Sequence, residues 1–415
     1  MKAEILCVGT ELLLGDIVNT NAAFIAQRLA ETGIDTYYQT VVGDNPERLR
    51  EAIEQAFSRA DAVILTGGLG PTYDDLTKET VAGYFGLEME ENAEAMRAIE
   101  EFFAGIGRVM TENNKKQALI PKGATPLLNS NGTAPGIAIE KDGRVAVLLP
   151  GPPREMEPMM TDSVIPLLKK YTGGVIVSHT VNIAGIGESK VESMLKEQME
   201  AMENPTLAPY AKTGEVRLRV TASAKDEEKA EEMIAPVVAK LRDMFGENAY
   251  GVDAVSAPVE AVTRLIARGV TIATAESCTG GLLSKLITDI PGASDIFSTG
   301  VCTYANETKI KLLGVKKETL DTVGAVSRGT AAEMAEGVRA LADADIGLST
   351  TGIAGPGGGT PQKPVGLVYI GIATRDGVRT VKLLAGGMRS RDHVRQVTAT
   401  TAFFEVMKTL DKMEK

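Results

Sequence analysis

The chain has 415 residues and carries 55 acidic against 44 basic side chains, giving a formal net charge of −11 at neutral pH. A chain of this length is too long for a single hydrophobic core, so we predict several domains. The excess of acidic residues disfavours a broad nucleic-acid-binding surface, which needs excess lysine and arginine. No run of about 18 apolar residues is present, and Glu4 and Glu11 come too early for a signal peptide, so we expect a cytoplasmic protein without a membrane segment.

Cysteine and histidine are scarce, which limits the metal sites and catalytic bases that the chain can form. The three cysteines, Cys7, Cys278 and Cys302, form no CxxC pair, so they signal neither a disulfide framework nor a thiolate zinc site. The two histidines are His179, at a polar strand position, and His393, on a helix face. We therefore expect a hydrolase to take its base from Lys, Tyr, Asp or Glu, or to use metal-bound water.

Residues 1–170 predict strands that alternate with helices. The segment TNAAFIAQRLAETG has helical spacing, and a second helix opens with the N-cap and first-turn pair Asn45 and Pro46 and runs through Ala60. Four apolar segments predict strands, namely EILCVG, IDTYYQTVVG, AVILTGG and RVAVLLPG. This alternation is typical of a mostly parallel sheet with helices on both faces.

The rest of the chain predicts a small module and a second α/β domain. In residues 171–252, the strands VIVSHTVNIAGIG and EVRLRVTAS accompany two amphipathic helices, and GVDAVSAP is a boundary linker. From 258 to 415, helix PVEAVTRLIARG and strand VTIATAES precede a helix that starts on the glycines of TGGLLSKLITDI. Three more strands, DIGLSTTG, GLVYIGIAT and VRTVKLLAG, lead to a last helix over 391–412 with Ser390 as its N-cap.

The loop TGGLGPTYDDLT follows the predicted strand AVILTGG. Its glycines, Gly67, Gly68 and Gly70, let the backbone approach a ligand and present N–H groups to an anion. Asp74 and Asp75 follow, and carboxylate oxygens suit hard divalent cations such as Mg²⁺. We therefore predict a phosphate site with an adjacent metal site. The alternative is a turn-forming glycine run with an aspartate N-cap.

Three more loops at strand ends are rich in glycine, proline and polar residues. They are GTELLLGD with Glu11, NSNGTAPG with Asn129 and Gly132, and LPGPPREM with Glu155. Because the carboxyl ends of strands in an open α/β sheet meet at one ligand crevice, four such loops favour a composite site. Taken alone, LPGPPREM is explained equally well as a rigid turn.

Together these four loops resemble the molybdopterin-binding fold, and specifically the N-terminal half of the competence/damage-inducible CinA family, over residues 1–170. The resemblance implies a pyrophosphatase that splits ADP-ribose into AMP and ribose 5-phosphate with a divalent metal, Mg, Mn or Co. By motif, Asp74 and Asp75 become metal ligands, and Glu155 is a further candidate for the site. The implied substrate contacts are Glu11, Gly67, Gly68, Gly70, Asn129 and Gly132. A metal that bridges a pyrophosphate neutralises developing charge and can generate hydroxide near neutral pH.

The segment TIATAESCTGGLLSKL is the second chemical cluster. A buried strand ends at Glu276, Ser277 and Cys278, and Gly280 and Gly281 open the next helix. A nucleophile at such a turn gains exposed N–H groups that can hold an oxyanion. Serine and cysteine both fit as the nucleophile, since a helix N-terminus can depress the pKa of a thiol. The alternative is a phosphate-binding glycine turn capped by Ser and Thr.

Partners for a nucleophile follow further along the chain. Tyr304 and Lys309 lie where a predicted strand passes into a helix, a glycine-rich loop follows Thr351, and Arg389 and Arg391 flank the start of the last helix. Because histidine is scarce, a Ser–Lys or Ser–Tyr–Lys arrangement is the economical way to activate the serine. Lysine serves only if burial or a nearby cation lowers its pKa, and it is otherwise a surface residue of the helix. Either arginine could supply that cation or hold a phosphate.

The combination of AESCTGG, TYANETK and TGIAGPGGG resembles the C-terminal CinA domain, the nicotinamide mononucleotide amidohydrolase family, over residues 258–412. The resemblance implies hydrolysis of nicotinamide mononucleotide to nicotinate mononucleotide and ammonia, without a cofactor. Ser277 becomes the nucleophile, and its implied partners are Tyr304, Lys309, Thr351 and Arg391. The implied oxyanion and phosphate contacts are Thr279, Gly280, Gly281, Gly352 and Gly355. Whether the tyrosine or the lysine is the base stays open.

Residues 171–252 resemble the KH-like spacer of full-length CinA proteins. A KH domain that binds nucleic acid needs a GXXG loop, and GIGESKVE lacks one, so a spacer or dimerisation element is favoured over RNA binding.

Taken together, the three resemblances imply a bifunctional homodimer that recycles pyridine nucleotides, with domains at 1–170, 171–252 and 258–415. The alternative is a non-catalytic pterin or nucleotide sensor that docks a DNA-processing partner, since fold does not fix function.

Overall fold

The computed structural model describes residues 1–386 and 390–413. They fall into two compact units, Met1–Val177 with Ser223–Glu231, and Ser178–Ala222 with Glu232–Lys415. Among the described helices, none combines the length and the apolar composition that a membrane span requires.

The N-terminal unit contains a six-stranded sheet in the order β2-β1-β3-β8-β7-β6 and a separate two-stranded pair, β4-β5. The strands are β1 Lys2–Val8, β2 Asp35–Val42, β3 Ala62–Thr66, β4 Met89–Glu91, β5 Leu119–Pro121, β6 Thr125–Leu127, β7 Gly136–Lys141 and β8 Arg144–Leu149. The helices are α1 Thr10–Leu14, α2 Thr20–Glu31, α3 Pro46–Phe57, α4 Thr77–Phe85, α5 Ala93–Gly105, α6 Pro153–Met159 and α7 Ile165–Leu168. Strands β2, β1, β3 and β8 are parallel, and β7 and β6 extend the sheet antiparallel.

Helices cover both faces of this sheet because its central strands are apolar on both sides. In β1, Leu6 and Val8 join the core formed with α3, α4 and α5, whereas Ile5 and Cys7 join the core formed with α2 and α6. The predicted three-layer, mostly parallel fold is confirmed. Asn45 caps α3 by accepting the N–H of Arg48, as its sequence position predicted.

The module in the middle of the chain contains a four-stranded sheet in the order β10-β11-β9-β12 and two helices. Its elements are β9 Val175–Ala184, α8 Glu188–Ala201, β10 Thr206–Lys212, β11 Glu215–Ala224, α9 Glu227–Phe245 and β12 Ala249–Val252. Strands β9 and β11 and both helices agree with the predicted elements, whereas β10 and β12 were not predicted.

The C-terminal domain contains a five-stranded mixed sheet in the order β14-β13-β15-β16-β17. Its strands are β13 Ile272–Glu276, β14 Phe297–Cys302, β15 Ile346–Gly352, β16 Leu367–Thr374 and β17 Gly377–Leu384. Its helices are α10 Ala257–Arg268, α11 Leu282–Thr288, α12 Asn306–Leu313, α13 Lys317–Thr322, α14 Arg328–Ala342 and α15 Arg391–Leu410. Strand β13 lies between β14 and β15 and is parallel to both, so its carboxyl end opens between two neighbouring strand ends.

This domain is also a three-layer structure. Ile272 packs into a core with α10, α11 and α15, and the adjacent Ala273 packs into the opposite core with α14. Ser390 caps α15 by accepting the N–H of His393, as predicted. The helix expected to start directly on Gly280 and Gly281 instead begins at Leu282, because both glycines have positive φ angles, of 61° and 95°, that end the turn before it.

Candidate active sites

Strand β13 delivers Ser277 to the turn that precedes α11. The Ser277 N–H donates to the carbonyl of Thr350 in β15 at 3.0 Å, and the hydroxyls of Thr279 and Thr350 lie 2.7 Å apart. The turn is therefore tied to the neighbouring strand on both sides of Cys278. Thr350, which sequence reasoning passed over in favour of Thr351, makes both contacts because the register places it beside Glu276.

The Lys309 amine is buried and lies within hydrogen-bond distance of the Ser277 hydroxyl. Lys309 is 1% exposed, and its Nζ is 3.3 Å from Ser277 Oγ. It also donates to the carbonyls of Thr303 at 2.7 Å and Tyr304 at 3.0 Å. Burial lowers the pKa of Lys309 and outweighs the opposing effect of the nearby Cys278. The alternative that Lys309 is a surface residue of its helix is wrong.

Tyr304 and Arg391 form an exposed pair beside this buried one. Tyr304 is 65% exposed, and its hydroxyl accepts a hydrogen bond from Arg391 Nη2 at 3.1 Å. The other terminal nitrogen of Arg391 donates to the carbonyl of Gly355 in the glycine-rich loop at 2.9 Å. Arg391 thus links the loop to the phenol where solvent reaches both. Arg389 lies outside the described residues.

Thr351 and Gly352 contact parts of the domain other than Ser277 and Lys309. The Thr351 hydroxyl donates to the carbonyl of Ala325 at 2.7 Å, so its bond secures the turn before α14 and does not reach Ser277 or Lys309. A Cβ on Gly352 would lie 2.7 Å from the carbonyl oxygen of Leu367. Gly352 is therefore required by the packing of β15 against β16.

Cys278 differs from Ser277 in its surroundings. Burial raises the pKa of the Cys278 thiol to about 12, so little thiolate exists near neutral pH. The Gly281 N–H, expected to face an oxyanion or phosphate, instead donates to the Glu276 carboxylate at 2.9 Å. The Gly281 N–H is therefore not free to stabilise a thiolate. Together with the raised thiol pKa, this favours serine over cysteine as the candidate nucleophile.

A cavity of about 420 Å³ opens at the strand ends of the N-terminal sheet. The predicted residues on its wall are Glu11, Gly67, Gly68, Gly70, Asp74, Asp75 and Glu155. Asn129 and Gly132 are not part of the cavity wall but lie against Glu155, which is. Asn129 Nδ2 donates to Glu155 Oε2 at 2.8 Å, and a Cβ on Gly132 would lie 2.1 Å from the same oxygen. These two residues therefore hold the Glu155 carboxylate at the cavity.

The glycines of this cavity are required by the close approach of neighbouring groups. Gly67 has a φ of 106°, and a Cβ there would lie 2.0 Å from the carbonyl oxygen of Val8. A Cβ on Gly70 would lie 2.4 Å from Asp75 Oδ2. The backbone at Gly70 and the Asp75 carboxylate are thus packed directly against each other.

Asp74 and Asp75 sit on a loop with its own internal bonds. Asp75 Oδ2 accepts the Thr72 N–H at 2.9 Å, and Lys116 donates to the carbonyls of Thr72 and Asp75. The hydrogen bond from Thr72 lowers the pKa of Asp74, with a smaller contribution from the Lys116 charge. Neither aspartate caps α4, whose N-cap is Leu76 without a side-chain bond, so the aspartate N-cap alternative is wrong.

The donor set at this loop fits one kind of metal binding. In the described part of the chain, no group of three or more His, Cys, Asp or Glu side chains is arranged to hold a metal ion. Two carboxylates suit a hard cation such as Mg²⁺ that keeps several waters and takes further oxygens from a substrate phosphate. Asp74 and Asp75 could therefore supply two of the oxygens around such a cation, with the others coming from water or a phosphate.

Family models match three consecutive segments of the chain. A probable molybdopterin binding domain matches residues 4–170, a damage-inducible protein CinA KH domain matches 178–251, and a CinA C-terminal domain matches 256–410. A protein of Caldanaerobacter subterraneus named as a competence-damage inducible protein is 53% identical over 411 residues, which are 99% of both chains. The chain belongs to the CinA family. The family resemblance predicted from the motifs is confirmed.

Other CinA relatives include a second full-length protein and two solved structures. The Clostridium acetobutylicum protein, also named as competence-damage inducible, is 53% identical and aligns over 96% of this chain and 97% of its own. An Agrobacterium tumefaciens structure is 41% identical, covering 37% of this chain and 93% of its own with a TM-score of 0.36. A Thermoplasma acidophilum CinA structure is 34% identical, covering 41% and 96% with a TM-score of 0.37.

Proposed function

We propose that this CinA protein is a bifunctional hydrolase that takes part in the recycling of pyridine nucleotides. The C-terminal domain converts nicotinamide mononucleotide to nicotinate mononucleotide and ammonia. The N-terminal domain splits ADP-ribose into AMP and ribose 5-phosphate with a divalent metal, Mg, Mn or Co. The observation that carries the proposal is the buried Lys309 amine, whose Nζ lies 3.3 Å from Ser277 Oγ. A buried lysine beside a serine is an arrangement for nucleophilic catalysis without histidine.

The acylation half-reaction follows from the three contacts of Lys309. When the amine is neutral, its two N–H groups stay on the carbonyls of Thr303 and Tyr304, and its lone pair points at the Ser277 hydroxyl. Ser277 Oγ then bonds to the carboxamide carbon while its proton passes to Lys309 Nζ. When the C–N bond breaks, that proton leaves with the ammonia.

Deacylation uses the same groups in reverse. Water replaces ammonia, Lys309 takes a proton from the attacking water, and the ester bond to Ser277 Oγ breaks. The serine oxygen recovers the proton, and nicotinate mononucleotide is released. We assign the lysine, and not Tyr304, as the group that serves as base and acid in turn, because Lys309 Nζ lies 3.3 Å from Ser277 Oγ whereas the Tyr304 hydroxyl contacts Arg391.

Tyr304 and Arg391 are suited to hold the substrate. Arg391 keeps its guanidinium oriented through the Gly355 carbonyl and the Tyr304 hydroxyl. A guanidinium matches a phosphate in bidentate fashion, and both side chains are exposed. We therefore assign the nucleotide phosphate to Arg391 and the positioning of the leaving group to Tyr304.

In the N-terminal domain, Asp74 and Asp75 would hold the cation. The bound metal would neutralise charge on the pyrophosphate and lower the pKa of a bound water. Glu11 and Glu155 line the same cavity, where carboxylates accept hydrogen bonds from ribose hydroxyls. The bonds from Thr72 and Lys116 keep the aspartate loop in place.

The test is ammonia release from nicotinamide mononucleotide by wild type, Ser277→Ala and Cys278→Ala, with ADP-ribose hydrolysis measured on the same preparations. We expect Ser277→Ala alone to lose deamidation and to retain ADP-ribose hydrolysis, and a chelator or Asp74→Asn to do the reverse. A wild-type protein that binds both nucleotides without turnover would instead be a nucleotide or pterin sensor, and the proposal would be wrong.

A further inference from the structure

The Glu276 carboxylate is fully buried at the end of β13, one residue before Ser277. Its Oε2 accepts the N–H groups of Gly281 at 2.9 Å and Leu283 at 3.0 Å. Its Oε1 accepts both the N–H and the hydroxyl of Ser284 at 2.9 Å. One side chain therefore uses four donors that lie on the far side of the Ser277 turn.

Three of these donors are backbone N–H groups that a helix N-terminus ordinarily offers to a capping side chain or an anion. With Glu276 bound to them, they are not available to a substrate phosphate or an oxyanion. The carboxylate instead closes residues 277–281 into a loop whose two ends are joined through a single side chain. The loop that carries Ser277 is thereby fixed relative to α11.

Arg395 of α15 holds the same loop from another direction. Its Nε and Nη2 donate to the Thr279 carbonyl at 3.0 Å and 2.7 Å. The Thr279 side chain meets Thr350, so Thr279 is held by both its carbonyl and its hydroxyl. The two N–H groups share a single acceptor oxygen and carry a positive charge, so this hydrogen bond is stronger than one between neutral groups.

We propose that Glu276 and Arg395 are positioning residues that hold Ser277 within reach of both Lys309 and the substrate carbonyl. The inference rests on the proposed amidase function of the C-terminal domain. A displacement of about 1 Å at a reacting atom costs on the order of 100-fold in rate. The Nζ–Oγ distance of 3.3 Å leaves little room for such a displacement before the hydrogen bond is lost.

The direct test is Glu276→Gln, which keeps the size of the side chain but turns an N–H₂ group against N–H donors. We expect kcat to fall on the order of 100-fold, KM to stay within about threefold, and the pH midpoint of kcat to remain in place because Lys309 is unchanged. Arg395→Ala should lower kcat in the same way, and Arg395→Lys should restore part of it.

Glu405→Gln is the matched control. Glu405 is also a mostly buried carboxylate of this domain, held by Arg379, but it lies away from the Ser277 turn. This variant should lose stability while keeping the kcat of the folded enzyme. If Glu276→Gln does not fold, Ser284→Ala removes one of the four bonds and should still lower kcat by about threefold.

A second readout separates this inference from the proposed function. Amide hydrogen exchange at Gly281, Leu283 and Ser284 needs no turnover and should rise about tenfold or more in Glu276→Gln but not in Glu405→Gln. If wild type releases no ammonia and the exchange still rises, the amidase proposal fails and the restraint of the turn stands. Unchanged exchange together with unchanged kcat would overturn the positioning role.

Discussion

Lys309→Met is the sharpest perturbation of the C-terminal site. Methionine fills most of the same buried volume but can neither accept the Ser277 proton nor donate to the carbonyls of Thr303 and Tyr304. Loss of a positioned general base costs about 10²- to 10⁴-fold in rate. At about 1.4 kcal/mol for each factor of ten, this is about 3 to 5.5 kcal/mol of transition-state stabilisation.

The pH dependence of kcat tests the same role of Lys309 as the base. Lys309 accepts a proton only when neutral, and burial lowers its pKa below the ordinary value of 10.5. The wild-type kcat should therefore rise with pH, with a midpoint below 10.5. The residual activity of Lys309→Met should lack that rise, because the titrating base is gone.

The assay is ammonia release followed across pH, with Lys311→Met as the control. Lys311 is exposed on the same helix, two residues further on, so its replacement should leave the rate unchanged. Tyr304→Phe should cost about tenfold or less, since its phenol contacts Arg391. If Lys309→Met kept more than about a tenth of the activity while Tyr304→Phe abolished it, the assignment of the base would be refuted.

Three further predictions concern stability against pH, the N-terminal cavity and Cys278. Burial disfavours protonated Lys309, so between its lowered pKa and 10.5 the unfolded chain binds more protons than the folded one. Unfolding monitored against pH should therefore show a contribution to stability that rises with pH across that window and is level below it, where both states are protonated. Gly70→Ala should abolish ADP-ribose hydrolysis and spare deamidation, because the added Cβ would lie 2.4 Å from the Asp75 carboxylate. Gly83→Ala is its control: the added Cβ has open space around it, so this variant should raise the unfolding free energy by about 0.5 to 1 kcal/mol. Cys278→Ala should keep deamidation within about twofold, and wild type should resist alkylation at neutral pH, since burial raises the pKa of that thiol to about 12.

Local signals in the sequence were sufficient for most of the fold. The caps at Asn45 and Ser390 depend on bonds only three residues long, so the pattern alone identifies them. Strand β10, Thr206–Lys212, was missed because it is a largely exposed edge strand containing Pro209, and such a strand lacks the apolar alternation of a buried one. Strand β12, of four residues, is too short to show a period.

The sites were predicted less completely, for a physical reason. Ser277 and Lys309 could be named from motifs, but the burial of Lys309 could not, because a motif does not show whether a helical lysine turns its amine inward, here towards a hydroxyl 32 residues away. Arg395 was missed for the same reason, since the carbonyl it binds is 116 residues away. Glu276 was noticed only as part of a motif, because a carboxylate followed by glycines does not reveal which donors it accepts from.

Glu276 also bears on the two interpretations that the sequence left balanced for AESCTGG, a nucleophile turn or a phosphate-binding glycine turn. A phosphate at this turn would need the N–H groups of Gly281, Leu283 and Ser284, which already donate to the carboxylate. It would also meet the negative charge of that carboxylate in a buried setting, where like charges repel strongly. The glycines therefore shape the turn around an internal acceptor, which favours the interpretation of the turn as the carrier of a nucleophile, Ser277, over that of a phosphate site. In the proposed reaction, recognition of the phosphate then falls to Arg391, whose guanidinium is exposed and already oriented by Gly355.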